Sequence, residues 1–260
     1  MVKRLLSEQE KIGEFPAGYV MSISGRGVRK ALPGGKLYTL KGAKTKLLIL
    51  LILCSVAYLV NFLFTLHFGG QDNEDMRFFA VFISLFTAFI LMPPFAWFST
   101  VTKTVKGRSV VFVFGILMDL GFASACGSLS ASWFGLNELG FIFVPFMVAG
   151  FVSVCVFDWL LEWFSRVWVV IVVLGVSVSV VFWGVSLVFS SFRPGLFAFS
   201  VGLCVISVFS FVMDLLTMRY FADRGDVDAA YEWFTAIVAV FDLFIAIGGA
   251  GGAASATDES

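Results

Sequence analysis

The sequence predicts an all-α, polytopic integral membrane protein of about seven transmembrane helices, and three observations predict it. Hydrophobic residues make up 59% of the 260 and charged residues only 14%, with a mean hydropathy of +0.96. A soluble domain cannot hide that much apolar surface, whereas a bilayer accepts it. Apolar runs of about 20 residues recur along the chain, each long enough to cross roughly 30 Å of hydrocarbon. The third observation is the placement of charge. Formal net charge is zero, yet ten of the eighteen basic residues precede the first apolar run, from Lys3 and Arg4 to Lys44 and Lys46. With those ten on the cytosolic side, Lys103, Lys106, Arg108, Arg166, Arg219 and Arg224 fall there too, leaving only Arg77 and Arg193 opposite. This positive-inside bias places the N-terminus in the cytosol and, with an odd number of spans, the C-terminus on the other side.

Three regions follow: a basic cytosolic segment, 1–45; a seven-helix transmembrane domain, 46–247; and a flexible small and acidic tail, 248–260. The first is expected to be mobile, since Gly25, Gly27, Pro33, Gly34 and Gly35 interrupt any long helix. Its stretch from Ser24 to Lys30 has no preceding strand and no Lys-Ser/Thr, so contact with anionic lipid headgroups suits it better than a phosphate loop. No cleavable signal peptide is expected in this polar start, and Glu8, Glu10 and Glu14 argue against a mitochondrial presequence.

Span 1 covers about Leu47 to Leu66, followed by an acidic loop containing Asp72, Glu74 and Asp75. Span 2, about Phe78 to Phe98, contains Pro93-Pro94, where freed carbonyls require a kink or a helix end. Span 3, about Val110 to Ser132, repeats small residues (Gly115, Gly121, Gly127) that let helices approach closely, so it is expected at the centre of the bundle. It also carries Asp119. Span 4, about Phe141 to Leu161, ends in an interfacial belt of Asp158, Trp159, Glu162, Trp163 and Arg166. Span 5, about Val167 to Phe189, is valine-rich and uncharged; spans 6 and 7 cover about Leu196 to Phe221 and Ala229 to Ile247. The four cysteines, Cys54, Cys126, Cys155 and Cys204, lie in apolar segments and are expected as small hydrophobes, without metal spacing or a disulfide framework.

Composition excludes several chemistries. No lysine follows Lys106, so a retinal Schiff base in the last span is ruled out. His67 is the one histidine, which removes a serine or cysteine triad and an HExxH zinc site. An enzyme is therefore not expected, nor a nucleic-acid partner, nor a bound cofactor. What remains is carboxylate chemistry. Asp214 and Asp242 lie on consecutive spans, and carboxylates in hydrocarbon are costly enough to suggest a site. Arg219, Arg224, Asp226 and Asp228 form the charged loop between them. If Arg219 marks the interface, Asp214 lies about 7 to 8 Å deep and Asp242, eleven residues past Tyr231, about 16 Å deep. Contact then depends on helix tilt. A pair in contact would titrate as a unit and could share a proton, bind a hard divalent ion transiently, or hold a gate. The other reading is that Asp242 hydrogen-bonds a neighbouring helix and stabilises packing.

These residues resemble the C-terminal signature of the Bax-inhibitor (transmembrane Bax inhibitor motif, or lifeguard) family. Asp214 ends span six, Gly225-Asp226-Val227-Asp228 forms the charged loop, and Tyr231 leads a span carrying Asp242-Leu243-Phe244. The detailed resemblance covers about 35 residues. Leu215-Leu216 stands where the family has Thr-Gln or Val-Gln, and span 2 has no basic residue to latch the carboxylates. The resemblance implies a pH-sensitive Ca²⁺ leak through the aspartate pair, Ca²⁺ being cargo rather than cofactor, and a link to restraint of cell death. It favours the endoplasmic reticulum or another internal membrane over the plasma or mitochondrial membrane. Asp119 is a candidate further pore carboxylate. A shorter stretch, Met118-Asp119-Leu120-Gly121-Phe122, is similar to the third span of MARVEL-type tetraspan proteins, which implies instead a non-catalytic membrane organiser. An accessory subunit of a larger membrane complex is the remaining alternative.

Overall fold

Within hydrocarbon every backbone N–H and C=O must be satisfied inside its own segment, which leaves a chain of this composition little choice but helix. The computed structural model describes residues 30–31, 34–69, 74–102, 104–133, 142–156 and 194–258. Helix α1 is Leu40–Phe64 and continues as a π-helical turn over Thr65–Gly69. Helix α2, Glu74–Leu85, runs through a second π turn, Phe86–Leu91, into α3, Met92–Val101. Then come α4, Val105–Trp133; α5, Val144–Cys155; α6, Pro194–Arg224; and α7, Tyr231–Asp258.

Five stretches are long and apolar enough to cross a membrane: Leu40–Phe68, Phe78–Ser99, Gly107–Ala131, Ser200–Arg224 and Tyr231–Gly251. They coincide with expected spans 1, 2, 3, 6 and 7. Val144–Cys155 is a shorter apolar helix within expected span 4. Residues 141 and 157–161 of span 4, the interfacial belt at Asp158–Arg166 and the whole of span 5 lie outside the described residues.

Three boundaries differ from expectation. Helix α1 begins at Leu40, seven residues before Leu47, because Thr39 caps it: its side chain accepts from the Gly42 amide at 3.1 Å. Pro93 and Pro94 do not end their span. They follow the π turn, where the Met92 amide already bonds back to Thr87 rather than Ala88, so the ladder is re-phased before the missing N–H groups. Helix α7 continues to Asp258, through much of the expected flexible tail. At its exit from the span, Gly249 lies against the backbone of Ser200 and Cys204 in α6, and an added Cβ would come 2.9 Å from the Ser200 carbonyl oxygen.

The bundle is built around α1, α4 and α7. Helix α7 packs along α6 and also touches α1, α4 and α5; α4 packs on α1, α2 and α7. Helix α7, rather than the glycine-rich α4 expected at the centre, is the most enclosed, since small Ala236, Ala239, Ala246 and Gly249 let neighbours close around it. Helix α4 comes second, and its glycines make the contacts predicted for them. At Gly127 a Cβ would run into the Tyr58 carbonyl of α1, and at Gly115 into the Phe95 ring of α3 and Ile237 of α7. Gly121 faces open space. Aromatic rings fill the seams: Tyr58 stacks on Phe143 with centroids 3.9 Å apart, and Phe122 meets Phe241 at 4.8 Å. Phe78, Phe82, Phe89, Trp97, Val110 and Leu117 point outward, as lipid-facing positions do. None of the four cysteines forms a disulfide; Cys54 and Cys126 are buried, Cys204 is half-buried, and Cys155 is exposed on α5.

Because Gly127 meets backbone rather than a movable side chain, Gly127→Val should lower stability by about 1–3 kcal/mol in thermal unfolding of the detergent-solubilised protein. Gly121→Ala, which meets nothing, should be neutral or add about 0.5–1 kcal/mol through helix propensity.

Candidate functional site: an aspartate pair beneath a polar knot

The site rests on the register of the α6–α7 hairpin. Gly225 takes φ +65° just after the end of α6, a backbone conformation that a glycine adopts without strain. Asp228 then starts α7: its Oδ1 accepts from the Ala230 amide at 2.9 Å, and its carbonyl accepts from the Tyr231 amide at 3.0 Å. Asp214 and Asp242 each lie fourteen residues from Asp228, one on each antiparallel arm, and are therefore level. Their carboxyl groups stand within hydrogen-bonding reach of one another, and Asp242 also within reach of the Ser210 side chain. Both residues are half-buried overall, but Asp214 Oδ2 is sealed from the surface and has no partner among the described residues.

This corrects the depth assigned from Arg219. Helix α6 does not end there but runs on to Arg224. Arg219 is exposed on the side of the helix, paired one turn ahead with Asp223 at 3.1 Å. A long cationic side chain reaches outward from within a helix, so its position does not mark the helix end. Measured from Arg224, Asp214 is ten residues in, about 15 Å, against about 16 Å for Asp242 measured from Tyr231. No tilt is needed to bring them together.

Asp119 joins the same interior from α4. It is 2% exposed, neither carboxyl oxygen has a hydrogen-bond partner among the described residues, and it lies within electrostatic reach of Asp242. Three acids on three helices thus share one region. Among the described residues no group of three or more His, Cys, Asp or Glu side chains is arranged to hold a metal ion.

At the hairpin end lies a knot of polar contacts that local sequence does not announce. Glu232, in the first turn of α7, is 6% exposed and gathers the start of α1. Its Oε1 accepts from the Thr39 amide at 2.8 Å and the Thr39 hydroxyl at 2.9 Å, and its Oε2 accepts from Lys46 at 2.7 Å. Lys46 also lies over the Trp233 ring, 5.3 Å from its centroid. Arg108 of α4, 5% exposed, donates to Asp228 Oδ2 at 2.6 Å, and the Tyr231 hydroxyl donates to the Ser99 carbonyl at 3.3 Å. These contacts join the ends of α1, α3, α4 and α7.

Of the charged loop residues, Arg219, Arg224, Asp226 and Asp228, only the last two lie outside helix. Asp226 accepts from Arg224 at 3.0 Å and pairs with Lys30 at 3.3 Å. Partial burial works to raise its carboxyl, but the Arg224 hydrogen bond and charge, with Lys30, outweigh it and hold Asp226 below the usual carboxylate range. The segment preceding α1, expected to be mobile, is pinned here. The Ala31 amide donates to the Asp226 carbonyl at 2.9 Å, the Tyr38 amide to the Val227 carbonyl at 2.8 Å, and the Ala229 amide to the Lys36 carbonyl at 3.0 Å. Residues 1–29 lie outside the described residues.

Comparison with known proteins brings no match: no family model, curated protein or solved structure is similar to this chain. The structure by itself defines an all-helical chain compatible with an integral membrane protein.

Two outcomes follow from the knot. Arg108→Met leaves Asp228 without its partner at the head of α7 and should destabilise the protein by about 3 kcal/mol, read from the thermal midpoint in detergent. Asp226 has its folded value below its unfolded one. Its contribution to stability is thus complete above the ordinary carboxylate value and is lost as pH falls through the lower, folded value. Asp226→Asn should remove that acid-side loss from a stability-against-pH profile.

Proposed function

We propose that the chain is a Bax-inhibitor-like membrane ion-homeostasis protein, a pH-sensitive leak channel for Ca²⁺ or a similar cation, governed by Asp214 and Asp242. The observation that carries this reading is the approach of two carboxyl groups to within reach of a mutual hydrogen bond, between α6 and α7 inside an apolar bundle. Such a bond needs a proton on one of the two groups. When that proton leaves, two negative charges stand in contact in a medium that screens them poorly. They are relieved by separation of the helices or by a cation drawn between them, and either event couples proton occupancy to ion passage. Asp119, buried and unpartnered on α4, supplies a further carboxylate along the same interior. In this reading the chain has seven spans, the residues between 156 and 194 completing the count, with a cytosolic N-terminus and the opposite C-terminus. Its membrane is that of the endoplasmic reticulum or another internal compartment.

The test is Ca²⁺ flux in proteoliposomes across pH, comparing the parent with Asp214→Asn and Asp242→Asn. Parent flux should rise as the shared proton is lost, on the order of tenfold for a shift of one pH unit in the limiting regime. Either substitution should flatten that response. Equal flux in all three proteins, or none in any, would sink the reading.

A further inference from the structure

The stretch before α1 makes contacts that a simple tether would not need. Residues 30–31 and 34–39 lie along the α6–α7 turn as a strap, with Lys30 bridged to Val227 and Leu37 to Asp228 in antiparallel fashion. The three main-chain hydrogen bonds described above fix its path. At its end, Thr39 is held by Glu232 through both amide and hydroxyl.

Tyr38 is the side chain that this path delivers inward. It is 3% exposed, its hydroxyl lies 2.9 Å from Thr235 Oγ1 on α7, and its ring meets Phe221 of α6 edge-on at 5.7 Å. Phe221 and Thr235 each lie seven residues from Asp228, so they are level across the hairpin. They stand seven residues, about 10 Å, on the turn side of Asp214 and Asp242. Tyr38 therefore occupies the groove between α6 and α7 two helical turns above the aspartate pair, on the side facing the turn. Burial foremost pushes the Tyr38 phenol up, against the pull of the Thr235 hydrogen bond, and the charges of Glu232 and Asp214 add to the rise. The ring thus sits within electrostatic reach of Asp214.

We infer that residues 30–31 and 34–38 belong to a built-in strap whose Tyr38 closes the route from the α6–α7 turn to the Asp214–Asp242 pair. The strap's link to the turn is made of hydrogen bonds and an exposed ion pair, Lys30 with Asp226, while Tyr38 itself is seated by one hydroxyl contact and ring packing. Thr39 stays held by Glu232 and keeps its cap on α1, so the residues before it can lift while α1, α4 and α7 remain packed on one another. This inference rests on the channel reading for its consequence, but its geometry is testable without ion flow.

The test uses the full chain with its four cysteines replaced by alanine and Met218→Cys as reporter. Met218 is fully buried on α6, one turn from Asp214 toward the strap. In detergent micelles, a charged maleimide should label the reporter slowly, and Tyr38→Ala should speed labelling on the order of tenfold, the shift expected when a closed state loses a buried hydrogen bond and its packing. Lys36→Cys with Ala229→Cys provides a disulfide across the strap and turn. Labelling at position 218, resolved by peptide mass spectrometry from that of the two thiols freed on reduction, should fall in the oxidised protein and recover after reduction and desalting, a comparison made within one folded sample. Identical labelling in the oxidised and reduced forms would overturn the strap. Reconstituted into proteoliposomes, the oxidised form should pass Ca²⁺ about tenfold more slowly than the reduced form. If labelling responds to the lock while flux does not, the strap stands and the channel reading falls.

Discussion

The interior chemistry of this bundle depends on the register between two antiparallel helices. The six-residue link between them, 225–230, sets which side chains of α6 lie level with which of α7. With Asp228 as the pivot, the pairing of Asp214 with Asp242 and of Phe221 with Thr235 follows from counting. One residue more or less in the turn would rotate and shift an arm, and the two carboxyl groups would face different neighbours. The backbone cost of the turn is small because Gly225 takes a positive φ, and Asp228 satisfies the first free amides of α7.

Polar groups elsewhere are concentrated at the hairpin end, and there they form ion pairs with little solvent around them. Glu232 and Arg108 are each almost fully enclosed and each has an opposite charge within 2.7 Å. A pair of this kind adds modest net stability, yet removing one member leaves a charge stranded. Its structural effect is to specify which helix ends belong together. Apolar faces slide past one another with little penalty, whereas Thr39, Lys46 and Glu232 fit in one arrangement.

Five of the apolar spans were legible in the sequence because hydrocarbon thickness and backbone saturation act on each segment separately. Gly127 and Gly115 were legible as points of close approach for a similar reason: a missing Cβ matters wherever helices touch. The carboxylates stood out by their cost in an apolar run. Their relative depth did not, because Arg219 suggests an interface at its own level, whereas it lies on the side of a helix that runs past the expected end of span 6 at Phe221 to Arg224. The polar knot was not legible at all. Glu232 and Lys46 are 186 residues apart, and each by itself resembles an ordinary charge at the edge of a span. The strap was hidden by its own composition, since Gly34 and the lysines around it suggest a loose tail, while its hold on the turn comes from backbone groups that carry no sequence signal.

The π turn at Phe86–Leu91 gives its span a property that the straight helices lack. A π turn packs an extra residue into the rise of an α turn, so the segment beyond it is rotated by about 100° relative to a continuous α-helix. That rotation leaves Phe89 and Ile90 exposed while Phe95 is enclosed against Gly115. The span therefore carries a spare residue, held in a screw dislocation. Deleting one residue there would convert the turn to ordinary helix at almost unchanged length and would leave Phe95 facing the bundle, because the π turn holds the extra residue within a single turn. This is the one point at which the span can lose a residue without a change of facing, and Phe95 keeps its place against Gly115.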